Sequence, residues 1–118
     1  MAKGAVPGIS VDFRQNRVRV HKCTLHMLGN PEFVRLLVNP EDRLIAIQIT
    51  NSDDPSGHHV RNRTMSSKNC FEIHSMPLLE NLQKCTAWDE NSTYSLIAHS
   101  CVDNSMMVFK IDEARKIN

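Results

Sequence analysis

The chain has 118 residues, of which 41% are hydrophobic and 23% charged, and its formal net charge is +1. This length suits one domain, residues 1–118, with a single modest core. No apolar run approaches the roughly 20 residues that a membrane-spanning helix needs, and the N-terminal sequence lacks the apolar stretch of a secretory signal. We therefore expect a cytoplasmic protein with no membrane partner.

Charge is unevenly divided along the chain. Residues 1–63 carry nine Lys and Arg against six Asp and Glu, a balance of +3. Residues 64–118 carry five against seven, a balance of −2. This polarity is much weaker than the basic surface of a dedicated nucleic-acid-binding domain.

The N-terminal segment, residues 1–12, has no clear periodicity and carries Gly4, Pro7 and Gly8. Such a composition favours a flexible lead-in. Alternation of apolar and polar residues over 9–13 leaves a short edge strand as an alternative.

A first βαββ unit is predicted over residues 13–50. Apolar and basic residues alternate from Arg17 to Lys22, which is typical of a half-buried strand. A helical turn follows, with Thr24 as its predicted N-cap. Gly29 is expected to adopt the left-handed conformation that ends a helix, and the proline two residues later prevents its continuation.

Two apolar runs complete this unit. Phe33–Val38 and Leu44–Ile49 are separated by a polar turn and predict a hairpin. The following segment, residues 51–69, is polar and is predicted to be an exposed linker loop between two halves of the domain. Long exposed loops are mobile or functional.

The second half, residues 70–111, repeats the pattern. A strand begins at Cys70, and Ser75 is the predicted N-cap of an amphipathic helix. We expect Thr93–Ala98 to correspond to Phe33–Val38, and Met106–Ile111 to Leu44–Ile49. Residues 112–118 are expected to form a short helix or a frayed tail.

One βαββ unit of about 35 residues buries too little apolar surface to be stable alone. We therefore predict an α+β domain in which two βαββ-like units pack as a pseudo-two-fold β-barrel or sandwich with short helices. Either a monomer or a homodimer fits the sequence.

The first unit resembles the DNA-binding domain of AbrB-like, swapped-hairpin transcription regulators. Arg17–Val20 matches the first strand of that family, Leu25 and Leu28-Gly29 match its short helix, and Phe33–Ile49 matches its swapped hairpin. The resemblance implies a bacterial, cytoplasmic transcription regulator with duplex DNA as partner. The family's basic contact positions correspond to Arg17, Arg19, Lys22 and Arg35.

An alternative function is a protein-interaction or small-ligand-binding domain without DNA binding. Its candidate residues lie in the linker loop and are His58, His59, Arg61 and Arg63.

Catalytic motifs are missing from the sequence. There is no glycine-rich phosphate loop and no H-E-x-x-H zinc motif, and the four cysteines do not show zinc-site spacing. We therefore expect a non-enzymatic protein without metal or cofactor.

Overall fold

The computed structural model describes residues 7–60, 70–103 and 105–117. Within these ranges the chain forms strands β1 to β10, helices α1 and α2, and a 3-10 helix at Ile111–Glu113. The first half contains β1 Gly8–Asp12, β2 Arg17–His21, α1 Lys22–Met27, β3 Phe33–Asn39, β4 Leu44–Thr50 and β5 His58–His59. The second half contains β6 Cys70–Ile73, α2 Met76–Cys85, β7 Thr93–Ile97, β8 Ser100–Val102, β9 Met106–Lys110 and β10 Arg115–Lys116.

The strands form two antiparallel sheets of five strands each. The order is β10-β7-β1-β2-β6 in the first sheet and β5-β3-β4-β9-β8 in the second. The predicted α+β class, with two sheets and short helices in one compact unit, is confirmed.

One hydrophobic core lies between the inner faces of the two sheets, because apolar residues alternate with outward-facing ones along each strand. Helix α1 adds Leu25 to this core, and α2 adds Leu79 and Leu82. Fully buried side chains from the strands are Ile9, Val11, Val18, Val20, Ile73, Leu96, Val34, Ile45, Ile47 and Phe109.

The predicted pseudo-two-fold relation is visible in two strand pairs. In the repeat, Arg19 corresponds to Glu72 and Ala46 to Val108. Arg19 pairs with Glu72 in the β2–β6 ladder, and Ala46 pairs with Val108 in the β4–β9 ladder. These registers are the ones that the predicted repeat requires, because equivalent residues of two strands related by a two-fold axis face each other across an antiparallel ladder.

The predicted match of the hairpins is wrong. Strand β7 lies in the first sheet between β1 and β10, whereas β8 pairs with β9 in the second sheet. The equivalent of the β3–β4 hairpin is therefore β8–β9. The chain changes sheets after Ile97, and Ala98 and His99 separate two strands where one had been predicted.

The N-terminal prediction is also wrong for residues 8–12. Strand β1 is central in its sheet, between β2 and β7, and Ile9 and Val11 are fully buried. Neither a flexible lead-in nor an edge strand describes it, while residues 1–6 lie outside the described residues. The alternation of apolar and polar residues over 9–13 correctly predicts a strand, although not its central position.

Helix α1 begins one turn earlier than predicted. Its N-cap is His21 and makes no capping hydrogen bond through its side chain. Thr24 lies inside the helix and is fully buried. At the other end, Gly29 has φ +80°, which confirms the left-handed helix end.

Of the two alternatives for the tail, the described residues show the short helix, which is of the 3-10 type, and the residues after it form a strand rather than fraying. A 3-10 turn at Ile111–Glu113 leads into β10, and Arg115 and Lys116 pair with Ser95 and Tyr94 of β7. The C-terminal end of the described chain is therefore held at the edge of the first sheet.

Candidate protein-interaction groove

Two of the four predicted DNA contacts are arginines in β2 that take part in an acidic cluster. Arg17 donates from Nε to Asp12 Oδ2 at 3.2 Å and from Nη1 to Glu72 Oε2 at 2.9 Å. Arg19 Nε lies 3.9 Å from the same Glu72 oxygen. Carboxylates beside both guanidinium groups reduce the positive potential that phosphates would meet.

The other two predicted contacts lie elsewhere. Lys22 is exposed at the start of α1. Arg35 projects from the outer face of the second sheet, and its Nη1 lies 3.3 Å from Asp54 Oδ2. The four basic residues are thus divided between the outer faces of two sheets and one helix, and the structure does not bring them together.

Within the linker predicted over 51–69, the structure describes residues 51–60, and Asp54 holds this part to the second sheet. The Asp54 carboxylate accepts hydrogen bonds from the backbone N–H of Ser56 at 2.8 Å and the hydroxyl of Thr50 at 2.8 Å, besides pairing with Arg35. The Ser56 and Thr50 bonds, with Arg35, lower the pKa of Asp54, although burial opposes them. The loop therefore keeps a charged anchor at neutral pH.

Strand β5 is formed by the two predicted loop histidines. His59 stacks on Phe33 of β3, with ring centroids 4.5 Å apart. His58 is half-buried, and its burial lowers the pKa of its imidazole, while the Asp54 charge acts in the opposite direction. Arg61 and Arg63 lie outside the described residues.

Strand β5 is shorter than its neighbour and leaves part of β3 without a second partner. It pairs only with Phe33 and Val34 of β3, and the Val60 N–H donates to the Glu32 carbonyl at 2.8 Å. In an antiparallel strand the N–H and C=O of one residue point to the same side, and successive residues alternate. Even-numbered residues of β3 therefore direct their backbone groups away from β4.

Leu36 and Val38 are the even-numbered residues beyond the end of β5. In the part of the chain that the structure describes, neither strand β5 nor a loop provides a backbone partner for them on that side. Arg35 and Leu37 instead face Gln48 and Ala46 of β4. The segment from Leu36 to Asn39 is thus a strand edge without a strand partner, which we call the open edge, and α2 packs beside it. Unpaired strand edges can act as templates for another strand.

A polar groove of about 330 Å³ borders this edge at Leu36, between the Asp54-anchored loop and α2. Helix α2 is positioned by its predicted N-cap, since the Ser75 Oγ accepts a hydrogen bond from the Leu78 N–H at 3.4 Å. Leu36, Pro55 and Leu78 provide apolar surface. The polar lining residues are Ser56, Gly57, His58, Ser75 and Asn81.

Three polar side chains that line this groove make no hydrogen bond within the described parts of the chain. The side chains of Ser56, His58 and Asn81 have no hydrogen-bond partner within residues 7–60, 70–103 and 105–117. None of the residues that line the groove is an Asp, Glu, Lys or Arg. A few convergent polar groups on an apolar background are typical of a binding site, and here they suit an uncharged partner.

A second, apolar groove of about 390 Å³ borders the same strand on the outer face of the second sheet. Its floor is formed by Ala46 and Val108, each only 9% exposed. The remaining lining residues are Leu37, Val38, Asn39, Pro40, Leu44 and Met106. Leu36 lines one groove and Leu37 and Val38 line the other, so β3 contributes to both grooves.

Sequence reasoning found His58 but missed the other components. Leu36, Ser75 and Asn81 come from three distant segments, and no local motif links them. The turn sequence Asp53-Asp54-Pro55-Ser56-Gly57 was the available signal that the loop is ordered, because Asp and Ser side chains form turns with their own backbone.

No group of three or more His, Cys, Asp or Glu that would hold a metal ion occurs in residues 7–60, 70–103 and 105–117. None of the helices formed by these residues is long and apolar enough to cross a bilayer. No family model matches the chain, and no curated protein or solved structure is similar to it. Membership of the AbrB-like family therefore stays a prediction.

Proposed function

We propose that this domain is a non-enzymatic protein-interaction module that binds an extended segment of a partner protein along the open edge of β3. The observation that carries the proposal is the direction of the Leu36 and Val38 backbone groups, which point away from β4 beyond the end of β5. A bound segment would make up to four main-chain hydrogen bonds there, as in other cases of strand addition.

The surroundings of the edge support such a partner. A strand added to β3 places successive side chains on opposite faces of the sheet. One set meets the polar groove beside α2, and the other meets the outer face next to Leu37. Because neither groove is lined by a charged residue, the segment that fits is uncharged where it contacts them.

Hydrogen exchange tests the open edge without a ligand. In the free protein, the amides of Leu36 and Val38 should exchange quickly, whereas those of Arg35 and Leu37, which face β4, should be protected. A blocked heptapeptide with three threonines on each side of a central leucine is a suitable probe. Its addition should slow exchange at Leu36 and Val38. Protection of both amides in the free protein would contradict the proposal.

A backbone variant tests the mode of binding. Val38→Pro removes an N–H that the β3–β4 ladder does not use, and proline is tolerated at such edge positions. We expect about tenfold weaker peptide binding, because one main-chain bond is lost and its acceptor is left unpaired. Val38→Thr keeps the N–H and the side-chain shape and is the matched control. If both variants bind the peptide with equal affinity, binding by strand addition is contradicted.

The AbrB-like function, binding of duplex DNA through Arg17, Arg19, Lys22 and Arg35, stays a prediction. It is less well supported than strand addition because Asp12, Glu72 and Asp54 compete with phosphates for three of these side chains.

A further inference from the structure

The polar groove lies in line with β5, on the same side of β3. Strand β5 pairs with Phe33 and Val34, and Leu36, the next residue of β3 that directs its backbone groups to that side, lines the groove. The other lining residues come from the loop that leads into β5 and from α2. The groove therefore lies between β3, this loop and the helix, and a segment that continues the line of β5 along β3 enters it directly.

The residue of the bound segment that meets the groove is the one opposite Leu36. Leu36 lies on the same face of β3 as the fully buried Val34 and packs against the core. Side chains that lie opposite each other on neighbouring strands project from the same face of a sheet. The side chain opposite Leu36 therefore projects to the side on which α2 lies, because α2 contributes Leu79 and Leu82 to this core.

The polar side chains of the groove can each donate and accept a hydrogen bond. Ser56 offers a hydroxyl and Asn81 a carboxamide. Burial lowers the pKa of His58, against the effect of the Asp54 charge, so its ring is neutral at pH 7.5, with one nitrogen that donates and one that accepts. A carboxamide complements such a set best, because it combines two donors and an acceptor without charge, whereas a hydroxyl has a single donor.

The walls of the groove are formed before a segment binds. Leu78 and Asn81 are three residues apart and share one face of α2, whose start is fixed by the Ser75 cap. In the loop, a Cβ atom on Gly57 would come within 3.0 Å of Thr50 Cγ2, so the backbone lies directly against the second sheet. Walls that need no reordering reduce the entropic cost of binding.

We infer that the polar groove takes one carboxamide side chain, from an asparagine or glutamine of the bound segment, at the position opposite Leu36. The inference rests on the proposed strand addition, and it adds the chemistry of the side chain that is selected. A carboxylate there has no hydrogen to donate to His58 or Asn81, and an ammonium group cannot accept from them. None of the described residues that line the groove carries a compensating charge, so either ion would lose hydration without full replacement.

Three blocked heptapeptides test the selected chemistry. Each has three threonines on either side of a central glutamine, methionine or glutamate, and acetyl and N-methylamide ends, so that only the glutamine supplies a primary carboxamide. Methionine has nearly the length and shape of glutamine. The wild-type protein should bind the glutamine peptide about fivefold more tightly than the methionine peptide, the amount expected from one net hydrogen bond. The glutamate peptide should bind more weakly than the glutamine peptide at pH 7.5.

Two groove variants and one control locate the selection. Asn81→Leu and His58→Phe keep the size of the side chain and remove its polar atoms, so both should reduce the preference for glutamine over methionine. Glu80→Leu places a leucine at an exposed position of α2 outside the groove lining and should keep the preference. Isothermal titration calorimetry measures the affinities, and thermal unfolding shows whether each variant is folded. In the wild type, the side-chain amide signals of Asn81 should shift more with the glutamine peptide than with the methionine peptide.

The outcomes separate the inference from the function on which it rests. Equal affinity of the wild-type protein for the glutamine and methionine peptides, with protection of the Leu36 and Val38 amides on binding, overturns the carboxamide selection and leaves strand addition standing. Failure of all three peptides to protect these amides overturns both. A preference that survives in Asn81→Leu and His58→Phe, or that is lost in Glu80→Leu, arises outside the groove and overturns the inference. Tighter binding of the glutamate peptide would show selection of a carboxylate and would also overturn it.

Discussion

The hydroxyl of Thr24 makes two hydrogen bonds to the backbone of Gly8. Its Oγ1 accepts from the Gly8 N–H at 2.7 Å and donates to the Gly8 carbonyl at 2.8 Å. Thr24 is fully buried within α1, and Gly8 begins β1. One side chain thus joins the first helix to the first strand at the point where the backbone of β1 enters the core.

Replacement of Thr24 by valine should therefore destabilise the domain. The shape of the side chain is nearly unchanged, but the N–H and C=O of Gly8 lose their partner in a buried position. We expect a loss of about 2 kcal/mol in the free energy of unfolding, measured by urea denaturation. Thr24→Ser keeps the hydroxyl and should cost less. A valine variant as stable as the wild type would show that water or another group replaces both bonds.

The Arg17–Glu72 pair provides the test of DNA binding. Because Arg17 is held by Asp12 and Glu72, we expect no steep decrease of affinity for duplex DNA as salt is raised, and little change in Arg17→Ala. Glu72→Gln removes the carboxylate that lies beside both arginines, although Asp12 still pairs with Arg17, and it is the informative comparison. Fluorescence anisotropy from low to physiological salt measures these affinities. Binding that weakens strongly with salt and is lost in Arg17→Ala would instead support the AbrB-like interpretation.

Asp54 should make the order of its loop depend on acid. Its pKa is lowered in the folded protein, below the roughly 3.9 of an unperturbed Asp. The charged form therefore stabilises the loop above that pH, and this contribution is lost as the pH falls through the lowered pKa. The amides of Asp54, Ser56 and Gly57 should become less protected near pH 2 than at pH 6. Asp54→Asn should lack this dependence, whereas Asp53→Asn, altered at an exposed neighbour, should retain it.

His58 gives a second dependence on pH, in a higher range. Burial lowers its pKa below the roughly 6.5 of a free imidazole. The unfolded chain then takes up a proton before the folded one, so stability falls as the pH drops below about 6.5 and levels off below the folded pKa. We expect a smaller loss between pH 7.5 and pH 5.5 in His58→Gln than in the wild type, measured by urea denaturation.

His99→Gln is the control for this effect, because His99 is exposed. The pKa of His21 is also lowered, by burial and by Arg19, and its contribution is common to all three proteins. Identical pH dependence in the wild type and in His58→Gln would contradict the burial of His58 against the loop.

The sequence predicted local structure better than strand partners. Apolar runs predicted β3 and β4 almost to the residue, and Ser75 was correctly identified as the cap of α2. The alternation of apolar and polar residues reflects the two faces of a single strand, and the local sequence alone determines it. Which strands are neighbours depends on contacts between distant segments, and so the place of β1 beside β7 could not be derived in this way.

The candidate site was accessible to prediction only in part. A long polar loop indicates a functional role, and this predicts His58, which does line the groove. The open edge depends on where β5 leaves β3, after two paired residues. The Asp54 carboxylate, which contacts Arg35 and Thr50, holds the loop beside that point, and a sequence pattern does not reveal these contacts.

The central position of β1 has a consequence for the order in which the chain is assembled. Residues 8–12 are made long before residues 93–97, which form β7, one of their two neighbours in the sheet. During synthesis one edge of this apolar strand therefore stays unpaired until most of the domain has been translated. Domains dominated by such distant pairings fold slowly, and strands left exposed meanwhile are prone to association. The N-terminal strand is therefore the segment for which a nascent chain would most need protection.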